Sequence, residues 1–216
     1  MKPEQVLREI AAEVEACTRC PLHVGRRRAV PGEGSPTAEI MLVGEAPGFY
    51  ESVAGRPFVG PAGQLLDRLL EQIGLSRQQV FITNLVKCRP PRNRDPEPEE
   101  VAACEPYLDR QIRTIQPKII VTLGRHSLHK FVPHAKIGQV HGQPIRHQGL
   151  LIVPMYHPAA ALRAYSMRQA LEEDFARLPQ FLQQAETLSE PPPDQDIAED
   201  DSDDDSPPAP QQLSLF

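Results

Sequence analysis

The chain has 216 residues, a formal net charge of −6, 40% hydrophobic residues and no Trp. That length suits one α/β domain with an appendage, and the apolar share supports a packed core, which excludes a wholly disordered chain. No apolar run is long enough to span a bilayer and no apolar signal core follows Met1, so a cytoplasmic protein with no membrane partner is expected.

Charge is unevenly placed. From Gln183 onward there are ten acidic residues and no Lys or Arg, which leaves the preceding part at +4. A mildly basic folded part is compatible with a phosphate backbone as partner. In a reducing compartment, four cysteines read as metal ligands rather than as two disulfides.

In chain order, residues 4–16 place Val6, Leu7, Ile10 and Val14 on one face and predict a helix. A turn-rich passage follows, with Pro21, Gly25, Pro31, Gly32, Gly34 and Pro36. Residues 40–43 are a short apolar run ending at Gly44, a buried strand. Gly60 to Gly63 opens a helix carrying Leu65, Leu66, Leu69, Leu70 and Ile73. Residues 80–85 predict a second strand, 89–98 a loop rich in Pro and charge, and 99–115 a helix. Residues 118–123 predict a third strand, followed by a shorter helix after Gly124. Residues 150–155 are the fourth strand, and 162–182 are mostly helical.

Strands alternating with helices predict a three-layer α/β/α sandwich around a four-stranded parallel sheet. Ligands on such sheets sit beyond the carboxyl ends of the strands. Those ends carry Gly44-Glu45-Ala46-Pro47-Gly48, Thr83-Asn84, Thr122-Leu123-Gly124 and Tyr156-His157-Pro158.

Cys17-Thr18-Arg19-Cys20 is a C-x-x-C pair just after the first helix, while Cys88 and Cys104 stand alone. Structural zinc sites usually combine two short-spaced pairs. One pair and two separated cysteines favour an iron–sulfur cluster on all four. Four unrelated buried thiols are the alternative.

The strongest signal joins Gly44-Glu45-Ala46-Pro47-Gly48 to Gly55-Arg56-Pro57-Phe58-Val59-Gly60-Pro61-Ala62-Gly63. It is a glycine- and proline-bounded loop between a strand and a helix, bringing backbone N–H groups and the carboxylates of Glu45 and Glu51 toward a ligand. It lacks the Gly-Lys-Ser/Thr ending of a P-loop.

With Thr83-Asn84-Leu85-Val86-Lys87-Cys88-Arg89-Pro90 and His157-Pro158-Ala159-Ala160 in the same order, the chain resembles the family 4 uracil-DNA glycosylases, the iron–sulfur type, from about Ala16 to Leu162. The resemblance implies a uracil-DNA glycosylase-like fold and a [4Fe–4S] cluster on Cys17, Cys20, Cys88 and Cys104. It also implies excision of uracil from DNA by a monomer. Such an enzyme turns the base out of the stack. Phe58 is the expected ring under the uracil, with a buried core ring as its alternative. Asn84 is the expected reader of O4 and N3–H, with a turn cap as the alternative. His157 is expected to donate toward O2 as the base leaves as an anion.

Water activation is the thinner part. The better-known uracil glycosylases carry an Asp where this chain has Ala46. Glu45 and Glu51 are the remaining catalytic carboxylates in the loop; Glu51 is assigned to water positioning, and Glu45 and Ala46 also to the pocket wall. Asn93 is assigned to the same pocket. Phe49-Tyr50 stand where related enzymes often carry acids. The Glu at position 45 separates the chain from family 5, and Ala46 argues against covalently trapping relatives, which have Gln there, although His126 or His129 keeps that alternative open. Leu162 and Arg163 are read either as a wedge and a phosphate contact or as a helix start facing the core. His23, His126, His129, His134, His141 and His147 are read as surface or loop residues.

The expected domain is 1–182, followed by an acidic, Pro-rich linker over 183–210. The last residues, 211–216, end in Gln212-Leu213-Ser214-Leu215-Phe216, which resembles a bacterial sliding-clamp binding peptide. Gln212 would make a polar anchor, and Leu213, Leu215 and Phe216 would fill an apolar groove.

Overall fold

The computed structural model of the protein describes residues 1–187. Most of the expected linker and the whole peptide with Gln212, Leu213, Leu215 and Phe216 therefore lie outside the described residues. The first helix, α1 (Pro3–Ala16), has Pro at its first turn and turns Ile10 and Val14 inward. A two-residue strand, β1 (Glu33–Gly34), precedes β2 (Ile40–Gly44). The glycine-rich loop is not all loop: it contains the short helix α2 (Phe49–Ala54), capped at its end by Gly55 in the left-handed conformation. Then come α3 (Pro61–Gln72), β3 (Phe81–Asn84), α4 (Pro98–Ile115) and β4 (Ile119–Leu123).

The second half contains α5 (Arg125–Phe131), α6 (Ile137–Val140), β5 (Ile145–His147) and β6 (Leu150–Met155). Three helices follow: α7 (Pro158–Ala161), α8 (Tyr165–Ala176) and α9 (Leu178–Thr187). The expected single helical stretch over 162–182 is thus divided, and its last helix runs past the expected domain limit at 182.

The strands form one sheet in the order β1-β3-β2-β4-β6-β5. Its inner four run parallel and are the four that the sequence predicts. The two edges pair antiparallel. They are two and three residues long, too short for an alternating pattern to show in sequence. The chain goes from β2 to β3 on one side, then crosses to β4 on the other side of β2. That reversal opens a crevice beyond the carboxyl ends of β2 and β4.

Strand parity builds the layers. Ile40, Leu42, Ile82, Val121 and Val153 face α3, α8 and α9, where Leu66, Phe175 and Phe181 meet them. Met41, Val43, Phe81, Ile120 and Ile152 face Leu108 and Ile115 of α4 and Phe131 of α5. A third apolar cluster joins α1 to α4 through Ile10, Val14, Leu22 and Tyr107, and it encloses Cys88 and Cys104. No helix among the described residues is long and apolar enough to cross a membrane.

Candidate active site

The strand ends and the α2 loop enclose a cleft of about 390 Å³ lined by Glu45, Ala46, Glu51, Phe58, Asn84 and His157, together with Asn93, Asp95 and Arg163. The residues expected to form a base pocket are thus brought together.

Asn84 ends β3 directly beside Gly44 of β2. A Cβ on Gly44 would lie 2.4 Å from Asn84 Oδ1 and 2.7 Å from Phe58 Cζ, so glycine is what lets both side chains close over the strand end. Asn84 is 1% exposed, and its Oδ1 has no hydrogen-bond partner. A buried acceptor left unpaired costs about 1–3 kcal/mol. Thr122 Oγ1, within β4, is the other such atom among the described residues.

The backbone of Asn84 is held from the opposite face. Lys87 is wholly buried and its Nζ donates to Asn84 O at 2.8 Å, Thr83 Oγ1 at 2.6 Å and Gln111 Oε1 at 2.8 Å. Burial pulls this ammonium down to about 8, against the opposing effect of Cys104.

Phe58 is 6% exposed and belongs to the core as well as to the cleft, so the two expectations for it coincide. Its φ of 51° is unusual for an aromatic residue. Arg77 enforces it by donating to Pro57 O at 2.5 Å and Phe58 O at 3.0 Å. Arg77 is itself gripped by Glu33 of β1 and Asp67 of α3, both at 2.8 Å. The β1 edge is therefore part of the support for the pocket ring. On the other side, a Cβ on Gly63 would lie 1.8 Å from Phe58 O. The Phe58 ring stacks near His157, with centroids 5.6 Å apart and planes 27° from parallel.

Glu51 is fixed by three backbone donors. Its Oε1 accepts from Val59 and Gly60, each at 3.0 Å, and its Oε2 from Gly48 at 3.1 Å. The carboxylate ties both ends of the loop to α2 and keeps a fixed orientation in the cleft. Oε2 retains more free lone-pair capacity than Oε1.

His157 follows β6 and caps α7: its Nδ1 accepts from the Ala159 N–H at 3.1 Å. A neutral ring accepting at Nδ1 carries its proton on Nε2. Burial drives the imidazole down to about 4, with Glu51 opposing. At neutral pH His157 is an uncharged donor.

Glu45 is half-buried and neighbours Asp95, which sequence reasoning missed, and His126, which it read as a surface or loop residue. His126 Nε2 lies 3.8 Å from Glu45 and 3.0 Å from Asp95, and Arg125 holds Asp95 at 2.6 Å. Burial raises the Glu45 carboxyl above its usual range; His126 opposes this and Asp95 adds to it. The surface reading of His126 is corrected accordingly. His141 is likewise not a plain surface residue, for its Nδ1 meets the buried Asp174 at 2.8 Å. No sequence motif marks Arg77, Asp95 or His126, because each reaches its partner across tens of residues.

Asn93 sits in the left-handed conformation and its Oδ1 accepts from Arg89 Nε at 2.7 Å. Arg163 reaches the cleft. Leu162 does not line it, yet it is 44% exposed at the end of α7. That removes the core-facing alternative, since Ala161 takes the inward position.

A second cavity, behind β3, is lined by all four cysteines with Val14, Leu22, Val86 and Tyr107. No disulfide joins them. The sulfurs receive N–H groups: Lys87 N to Cys104 at 3.3 Å, Arg26 Nη1 to Cys88 at 3.4 Å and Arg19 N to Cys17 at 3.5 Å. Burial pushes the Cys104 thiol up to about 11, with Lys87 opposing, so this sulfur needs a cation to become a ligand thiolate. Among the described residues, only Glu45, Asp95 and His126 bring three potential ligand atoms within 4.8 Å of one another. No three of the four sulfurs therefore lie all within 4.8 Å of one another, which is looser than the ~3.8 Å between sulfurs on a single tetrahedral zinc. A larger, multi-iron group fits this donor set.

Comparison with known proteins agrees with the geometry. The family model "Uracil DNA glycosylase superfamily" matches residues 31–183. The chain belongs to this superfamily. It is 53% identical over 184 residues to a Type-4 uracil-DNA glycosylase of Sulfurisphaera tokodaii, covering 80% of this chain and 83% of the relative. Identity to the Type-4 uracil-DNA glycosylase of Thermotoga maritima is 44%, over 83% of this chain and 96% of the relative. A Type-5 uracil-DNA glycosylase of Thermus thermophilus is 35% identical over 61% of this chain and 74% of its own length.

Proposed function

We propose that the protein removes uracil from DNA by hydrolysing its N-glycosidic bond, leaving an abasic site for repair of deaminated cytosine. The observation that carries this reading is the unpaired, buried Oδ1 of Asn84 at the floor of the cleft. Uracil N3–H supplies the missing donor. Cytosine presents an acceptor at N3 and would leave Oδ1 unpaired, and a site built on such a bond rejects the wrong base by orders of magnitude. Phe58 supports the everted base, and the Nε2–H of neutral His157 donates to O2 as negative charge develops there. Glu51, held by three N–H groups, presents a fixed anion that orients water and faces the cationic sugar of the transition state. Glu45, Ala46 and Asn93 complete the wall, and Leu162 and Arg163 serve as wedge and phosphate contact.

Cys17, Cys20, Cys88 and Cys104 are proposed to hold a [4Fe–4S] cluster. Bound there, it supplies a structural crosslink between α1, the end of β3 and α4. The support is the shared cavity, the absence of any three sulfurs mutually within 4.8 Å, and the N–H donors around it.

The test is a DNA oligonucleotide containing one uracil. An alkali-sensitive site at that position after incubation is expected, and its absence with folded, brown protein would reject the reading. The acidic segment and Gln212, Leu213, Leu215 and Phe216 are proposed to tether the enzyme to a sliding clamp. Deleting the last five residues should abolish clamp capture and leave excision from short oligonucleotides unchanged; loss of both, or of neither, rejects the tether.

A further inference from the structure

A surface beside the cleft is built like a nucleic-acid platform. α2 turns Phe49 and Tyr50 outward, 43% and 59% exposed. The two rings meet edge to face at 5.6 Å. The guanidinium of Arg27 lies 5.0 Å from the Phe49 centroid and that of Arg89 5.3 Å. Among the described residues Arg27, Arg28 and Arg89 have no carboxylate partner, whereas Arg56, Arg77, Arg94 and Arg125 all do. Beyond α2, Arg26, Arg27 and Arg28 line a groove with Ala54 and Gly55, where three guanidiniums outnumber the one carboxylate, Glu15.

The patch is continuous with the cleft. α2 supplies Glu51 to it, and Arg89 donates to Asn93, which lines it. An apolar protein partner would leave these guanidiniums desolvated and unpaired. A nucleic-acid strand satisfies both components, because bases stack on rings and phosphates accept from Arg.

We propose that this α2 surface holds the DNA strand on one side of the everted nucleotide, with a neighbouring base on Tyr50 and phosphates on Arg27 and Arg89, whose forks Phe49 orders. This rests on the uracil-excision reading and adds to it a footprint with a direction along the strand.

The experiment uses the full chain and single-stranded 15-mers with uracil near the 5′ end or near the 3′ end, so that a long flank lies on one side only. Tyr50→Ala and Arg27→Gln are each expected to raise KM about 10-fold on one of the two substrates, with kcat within about twofold and the other substrate unaffected. Arg27→Gln should also lower the slope of log affinity against log salt by about one. An unchanged KM on both substrates, or an equal rise on both, overturns the platform. Binding of a uracil-free 15-mer by anisotropy separates the two readings. If the wild-type chain excises nothing, the excision reading falls, and a 10-fold weaker uracil-free complex in the variants still supports the platform, while equal binding rejects it.

Discussion

The cleft and the cysteine cavity lie on opposite sides of one short segment, and they are built by opposite rules. The cleft mixes polar side chains with apolar walls, is positioned by backbone geometry, and leaves one acceptor, Asn84 Oδ1, buried without a partner. The cysteine cavity is apolar, and burial raises the thiols of Cys88 and Cys104 within it. On the proposed reading, one is complete as protein and takes a substrate, and the other is completed by a cofactor. Residues 83–88 serve both. Asn84 faces the cleft, Cys88 the cavity, and Lys87 braces the turn between them with bonds to Thr83, Asn84 and Gln111.

Breaking the cleft alone should give the largest effect. Asn84→Ala removes the proposed base reader and an unpaired acceptor together. Excision of uracil is expected to fall by about 1,000-fold while thermal stability stays level, measured by single-turnover kinetics and circular dichroism. Equal loss of stability would mean that Asn84 is structural.

Gly44→Ala tests the same wall through sterics. Its new methyl collides with Asn84 Oδ1 and Phe58 Cζ, and a displacement on the order of 1 Å costs about 100-fold in rate. Retained activity would show that the ring and the amide need not close over Gly44.

Breaking the cavity alone should reverse the pattern. Cys104→Ala removes one proposed ligand and leaves the cleft residues untouched. Loss of the broad absorbance of an iron–sulfur protein and a fall in Tm of about 10 °C are expected, consistent with several kcal/mol for a domain of this size. A colourless wild type with bound zinc would reject the cluster.

Lys87→Met sharpens the comparison because it strikes both sides. Three acceptors lose their donor, for a cost of about 2–3 kcal/mol, so a smaller fall in Tm should accompany a moderate rise in KM. A change in only one of the two would show that the regions are independent.

The smallest effect is in the pH profile. His157 is held down to about 4 by burial, against ~6.5 for the free side chain. Between those values the unfolded chain binds the proton and the folded chain does not, so stability falls as pH drops through this window and is complete above it. The excision rate should show no inflection near pH 6.5 and decline only toward pH 4. An inflection near 6.5 would mean that the ring meets bulk water.

Much was legible in the chain itself. The four parallel strands, α1, α3 and α4 were readable because their apolar residues repeat at helical or strand spacing, and the strand-end motifs with Glu45, Phe58, Asn84 and His157 are local in sequence. Gly44, Gly48 and Gly63 marked the loop that carries the site. Tertiary structure decided what reaches across the chain. Arg77 gripping Glu33 to set the φ of Phe58, Lys87 bracing Asn84 from beneath, and His126 beside Glu45 and Asp95 are contacts between distant segments with no periodic trace. The proton position on His157 likewise follows from its helix cap and its burial, which exist only once β6 and α7 are in place. Sequence named the groups that can do the chemistry; packing fixed their orientation and charge, because desolvation and backbone donors act only in the folded chain.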